Sequence, residues 1–149
     1  MSPRPGWKKR SLPCEFKPEL FSLPGEEWRP AVGWERMYRA SNMGRVYTLH
    51  EKGRIATGML VRGNYRVLKA CDRERRANLM VHRMVLTAFR GPCPEGMEGC
   101  HNNGNSQDNR LSNLRWDTRL SNCADKRIHK AIRTLHKIVP NSEVEQWTF

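Results

Sequence analysis

Residues 97–122 read MEGCHNNGNSQDNRLSNLRWDTRLSN. Met97 to His101 and Leu114 to Trp116 are short strand-like runs, separated by a polar loop dense in Asn and Gly: Asn102, Asn103, Gly104, Asn105 and Asn109. Asp117 or Thr118 then caps a helix that extends to about Val139, where Pro140 stops it. The stretch therefore predicts a hairpin of two strands leading into a helix. In such an arrangement the end of the first strand, the start of the second and the first helical turns converge on one side. His101, Asn113 and Asn122 stand at those three points, and their side chains are predicted to meet.

Those residue types suit one chemistry. A neutral imidazole takes a proton from water near neutral pH, and an Asn amide oxygen fixes the ring's orientation and tautomer. A second Asn oxygen, on the helix, suits a hard divalent cation, which prefers oxygen ligands and keeps several waters. Such a cation binds a phosphodiester and stabilises the leaving oxygen while the imidazole activates the attacking water. Taken singly, His101 is an ordinary hydrogen-bonding loop histidine, Asn113 a turn residue and Asn122 an exposed helix residue. Their joint spacing gives them weight.

Working outward, Val81, Val85, Leu86 and Phe89 recur at helical spacing, so residues 80–90 read as a helix stopped by Gly91 and Pro92. Trp34 to Ala40 and Arg45 to Leu49 alternate apolar and polar residues around the turn Ser41-Asn42-Met43-Gly44, which predicts a hairpin. Met59-Leu60-Val61 and Tyr65 to Leu68 are further short strands. Residues 1–25 hold five prolines without apolar periodicity and read as a disordered or extended tail. The fold class is α+β: that tail, a small β-rich module over 26–79, a hairpin-and-helix core over 80–125, and a basic helix with a C-terminal tail over 126–149.

The 149 residues carry 27 Lys plus Arg against 15 Asp plus Glu, a formal charge of +12. That length allows one modest domain, and that charge calls for a polyanionic partner, nucleic acid before a membrane surface. The charge is uneven. Residues 62–90 hold eight basic against two acidic side chains and residues 125–139 five against one, whereas residues 91–124 hold three against four. Basic flanks thus enclose a nearly neutral centre. Arg127, Lys130 and Arg133, roughly one turn apart on the last helix, are candidate phosphate contacts, together with Arg45, Arg66, Arg115 and the arginines 62, 73, 75 and 76. No apolar stretch approaches the roughly 20 residues of a membrane span, and no apolar region follows the basic N-terminus, so an intracellular protein is expected. Five widely spaced cysteines without a CxxC pair argue against a disulfide framework or a zinc ribbon, and the irregular set Cys93, Cys100, Cys123 and His129 is a poor zinc site.

The motifs themselves are specific. Val81-His82-Arg83-Met84-Val85 through Ala88-Phe89, then Cys100-His101-Asn102-Asn103-Gly104, Asp108-Asn109-Arg110, Asn113 to Thr118 and Ser121-Asn122, resemble the HNH endonucleases of phages and mobile introns. Trp28, Gly33-Trp34-Glu35 and Tyr38 to Val46 are similar to the short motif that often precedes such domains. The resemblance implies a ββα-metal, or His-Me finger, nuclease that nicks or cuts DNA inside a host cell, acting as a monomer with one divalent ion, Mg²⁺ or Mn²⁺ rather than Zn²⁺, and no organic cofactor. It places His101 on the general base, Asn113 on the residue that positions it, and Asn122 on the helix-borne metal ligand. Many relatives carry an acidic residue just before the catalytic His, where this chain has Cys100. Either Cys100 ligates the metal, or Asp117 or Asp108 substitutes, or water fills the position. The rival reading is a DNA-binding module with a degenerate, inactive site.

Overall fold

The computed structural model describes residues 14–50, 53–61, 64–72 and 75–138. Four short strands, β1 (Trp28–Pro30), β2 (Tyr38–Ser41), β3 (Val46–Thr48) and β4 (Arg54–Ala56), pair antiparallel in chain order. The β2–β3 turn closes as expected at Ser41, whose hydroxyl accepts from the backbone N–H groups of Met43 (3.2 Å) and Arg45 (3.1 Å). Trp34 to Met37, expected in the strand, instead form consecutive turns, with Met37 and Tyr38 N–H both donating to the Trp34 carbonyl. Alternation there places Trp34 in the core without extending the strand.

A second antiparallel sheet holds β5 (Met59–Val61), β6 (Tyr65–Cys71) and β7 (Arg76–Met80). Strand β7 has no independent signal in its RANLM sequence; β6 supplies its register, Leu68 opposite Leu79 and Ala70 opposite Ala77. It runs directly into α1 (Val81–Arg90), which ends at Gly91, whose φ of +84° few other residues adopt. Helix α1 buries Val81, His82, Met84, Val85 and Leu86. Those side chains join Trp34, Tyr38, Val46, Leu68 and Leu114 in one cluster, so a single core runs through the N-terminal sheets and the following hairpin.

That hairpin is β8 (Met97–His101) with β9 (Leu114–Thr118), in register His101 opposite Leu114. Helix α2 (Arg119–Ile138) follows without a connecting loop. Thr118 caps it, its hydroxyl accepting from Ser121 N–H at 3.3 Å. The architecture is α+β, as the sequence implies. The extended tail needs correction over residues 14–25. Phe16 and Phe21 pack on Trp28 and Tyr47, Phe21 stacking on Tyr47 at 4.5 Å between ring centroids, and Cys14 N–H donates to the Leu49 carbonyl. Two aromatic rings supply the apolar area that the prolines concealed. Residues 1–13 and 139–149 lie outside the described residues.

Candidate active site

The β8–β9 hairpin alternates faces along β8. Gly99 lies against α1: a Cβ there would stand 2.8 Å from the His82 ring. His101, two residues on, shares that face, its ring centroid 5.1 Å from His82 and 5.9 Å from Tyr65. Glu98, on the alternate positions with Cys100, meets α2 through a hydrogen bond from Asn122 Nδ2 to its carboxylate. One cleft, lined by Tyr65, Gly99, Cys100, His101, Gly104, Ser106, Asn122, Asp125, Lys126 and His129, gathers residues of both kinds. His101 and Asn122 are therefore brought together, as their spacing predicts.

Asn113 is placed differently. It does not position the imidazole: Asn109 does, with Oδ1 3.1 Å from His101 Nε2. Asn109 Nδ2 donates to the Gln107 carbonyl at 3.3 Å, which turns the amide oxygen toward the ring. Asn113 secures the loop instead. Its Nδ2 donates to Asn103 Oδ1 (3.0 Å) and the Asp108 carbonyl (2.8 Å), and its Oδ1 accepts from Asn103 N–H (3.0 Å). Both Asn residues are buried, and Asn113 ties together three hydrogen-bonding positions of the loop. The Asp-Asn-Arg triplet at 108–110 was a signal available in the sequence, but its register against the strand end depends on how the loop folds back.

Burial pushes the His101 pKa below its ordinary value, against the opposing effect of the Asn109 hydrogen bond and the Asp108 charge. The ring is thereby favoured neutral, as a base requires. Burial also pushes the Cys100 thiol up, which holds it protonated and makes it a poor partner for a hard cation. The two carboxylates proposed as substitutes are engaged elsewhere. The Arg110 guanidinium holds the Asp108 carboxyl down at about 2, and Asn103 donates to the same carboxylate. Asp117 accepts from Arg115 Nε (2.8 Å), from Ser121 Oγ (2.8 Å) and from Thr118 N–H (2.7 Å). Oxygen donors at or beside the cleft include the Asn122 amide, the Glu98 carboxylate that it contacts, and Asp125, itself paired with Arg115. That set suits a hard divalent ion retaining most of its water. Among the described residues, no group of three or more His, Cys, Asp or Glu side chains converges on a metal position.

The candidate phosphate contacts divide. Arg45 is tied into the fold, with Nε 2.8 Å from Glu26 Oε1 and Nη2 2.9 Å from the Phe21 carbonyl. Arg66 donates to the Thr57 carbonyl, and Arg115 joins Asp117, Asp125 and Asn102. Arg75 pairs with Asp72 and covers the Trp34 ring, while residues 62 and 73 lie outside the described residues. Arg127, Lys130 and Arg133 are exposed on α2, and none of them forms an ion pair among the described residues.

The N-terminal sheet reaches the same loop. Asn42 O accepts from Leu111 N–H at 2.8 Å, and a Cβ at Gly44 would stand 2.5 Å from the Asn109 carbonyl carbon and 2.8 Å from Arg110 N. The turn and the loop thus meet backbone to backbone. A hairpin, a histidine at its strand end and an asparagine on the following helix form a ββα arrangement, and residues 79–124 match the HNH endonuclease family, preceded by a match to the NUMOD4 motif over residues 26–71. It is similar to the DNA endonuclease I-HmuI of Bacillus phage SP01, 30% identical over 96 residues that span 64% of this chain and 55% of that relative. The chain thus matches little more than half of that relative's length. A solved structure described as DNA binding and cleavage by the HNH homing endonuclease I-HmuI matches with a TM-score of 0.54 at 26% identity, over 80% of this chain and 64% of that one. The resemblance read from the motifs is borne out. HNH nucleases are generally dependent on a divalent metal. Among the described residues no helix is long and apolar enough to cross a membrane.

Proposed function

We propose that the chain is a metal-dependent endonuclease of the phage homing type, which hydrolyses phosphodiester bonds of double-stranded DNA as a single copy inside a host cell. The observation that carries this reading is the convergence of a buried, amide-oriented His101 and the helix-borne Asn122 on one cleft. Because Asn109 presents an oxygen to His101 Nε2, that nitrogen carries the hydrogen, and Nδ1 takes the proton from the attacking water. The water oxygen then bonds to phosphorus as the bond to the 3′ oxygen breaks, and the departing 3′ oxygen takes a proton from solvent, leaving a 5′ phosphate and a 3′ hydroxyl. Asn122 and the Glu98 carboxylate beside it would hold the divalent ion, Mg²⁺ or Mn²⁺ by the hardness of those donors. When bound, that ion supplies Lewis-acid stabilisation of the phosphate and of the leaving oxygen. Free cysteines at all five positions suit a reducing interior.

A plasmid nicking assay tests the reading. Wild-type protein with Mg²⁺ or Mn²⁺ is expected to convert supercoiled to open-circular or linear DNA, EDTA to stop it, and His101→Ala to abolish it. DNA binding without nicking in any of Mg²⁺, Mn²⁺ or Zn²⁺ would instead establish an inactive binding module.

A further inference from the structure

The cleft holds a second imidazole that the reaction above does not use. His129 stands seven residues beyond Asn122 on α2, about two turns or roughly 10 Å along the same helix face. Its ring occupies the space that a side chain at Gly104 would take: a Cβ there would lie 2.5 Å from His129 Nδ1 and 2.8 Å from its Cγ. Gly104 is the residue that closes the turn after β8, its N–H donating to the His101 carbonyl at 3.1 Å, and its φ of +68° suits glycine. The turn that follows His101 is thus seated on the His129 ring.

The surroundings point to an anion. Lys126, one turn before His129, lines the same cleft. Asp125, the carboxylate that would repel a phosphate there, has its charge compensated by Arg115. An imidazole keeps at least one N–H donor whether neutral or charged. Two turns of helix are also a long reach for His129 to share one ion with Asn122. We infer that His129 donates a hydrogen bond to a backbone phosphate of the DNA strand being cut, next to the scissile one, with Lys126 supplying charge, and so registers the strand in the cleft. The inference rests on the nuclease reading of that cleft.

Paired substitutions separate donor from packing. His129→Phe keeps a ring against Gly104 and loses the N–H, whereas His129→Gln keeps a donor and loses the ring. Cleavage of a DNA substrate under kcat/KM conditions is expected to fall roughly 10- to 100-fold in the Phe variant, the loss of one hydrogen bond to a charged group, and to stay within a few-fold of wild type in the Gln variant. The reverse order, or wild-type rates in both, overturns the inference and leaves His129 as packing. If both variants fall alike, the wild-type His129 imidazole nitrogen resonances decide: displacement by a duplex in EDTA supports the contact, and static signals overturn it. Weaker Mn²⁺ binding by electron paramagnetic resonance in His129→Phe would make the residue a metal ligand and also overturn it. His101→Ala runs alongside: if that variant still cleaves, the nuclease reading of the cleft has failed, whereas an inactive His101→Ala with fully active His129 variants sinks only the present inference.

Discussion

His101 sits at the end of a strand with its ring hydrogen-bonded to Asn109, while Asn113 holds the loop that delivers that partner. The two amides therefore fail differently when removed. Asn113→Ala strands the Asn103 N–H and the Asp108 carbonyl in a part-buried loop, so it is expected to lower stability by roughly 2–4 kcal/mol, measured by chemical denaturation. Asn109→Ala loses the contact to the imidazole and one longer hydrogen bond to the Gln107 carbonyl. It is expected to cost about 1 kcal/mol or less in folding while lowering kcat far more than it changes KM, and equal effects on both readouts would refute the division of labour. Gly44 adds a third case. Its φ is +77° and the Asn109 backbone fills the space beside it, so Gly44→Ala is expected to cost roughly 2 kcal/mol or more and to depress cleavage, although the residue lies far from the cleft in sequence. Of these, the His101 and Asn122 pairing was legible because hairpin and helix geometry follow from local sequence. The exchange of Asn109 for Asn113 was not, since both amides lie in one polar loop and only its folded path decides which faces the ring.

At the scale of elements, α1 connects everything. Its Val81, Val85 and Leu86 side chains are essentially inaccessible, and the last two are expected to cost about 2–4 kcal/mol when truncated to Ala, read as a shift of the denaturant midpoint with unchanged slope. His82 on the same face gives the element a pH dependence. Burial, then the nearby His101 and Arg83 charges, bring its pKa down from 6.5 to about 3, and its Nδ1 has no hydrogen-bond partner among the described residues. The unfolded chain takes up a proton as pH falls through 6.5, but the folded chain resists until near 3, so stability is full above 6.5 and declines across that window. Thermal unfolding from pH 7.5 to 4 is expected to show this decline, and His82→Phe to flatten it. A smaller slope should persist, because the lowered pKa of His101 acts with the same sign. A variant whose melting temperature drops as steeply as that of the wild type would remove His82 as the cause. Helix α1 and the β8–β9 hairpin were legible from their own periodicity. Strand β7 and the docking of Phe16 and Phe21 were not, because each owes its conformation to a partner distant in sequence: β6 for the strand, Trp28 and Tyr47 for the rings.

For the whole molecule, the +12 charge does not act as a uniform coat. Part of it is spent inside the fold, and part is left to face a polyanion. Arg45 lies in the first group: its partner Glu26 has a side chain covered from solvent, and breaking the pair leaves that carboxylate uncompensated. Arg127 and Lys130 lie in the second, exposed on a helix whose first turns carry Asn122 and whose continuation runs past the cleft. Counterion release turns this division into a measurement, since each phosphate contact contributes about 0.9 to the slope of log affinity against log salt. Binding to a duplex in EDTA, titrated between low and moderate salt, is expected to lose roughly 2 units of slope when Arg127 and Lys130 are both replaced by Ala. Melting temperature should barely move in that variant, because neither side chain is part of an ion pair among the described residues. Arg45→Ala is expected to do the opposite, costing roughly 3 kcal/mol of stability while leaving the salt slope of the surviving folded protein unchanged. Should Arg45→Ala flatten the slope as well, its guanidinium must leave Glu26 to meet DNA, and the N-terminal sheet would then be part of the binding surface as well as a support for the catalytic loop.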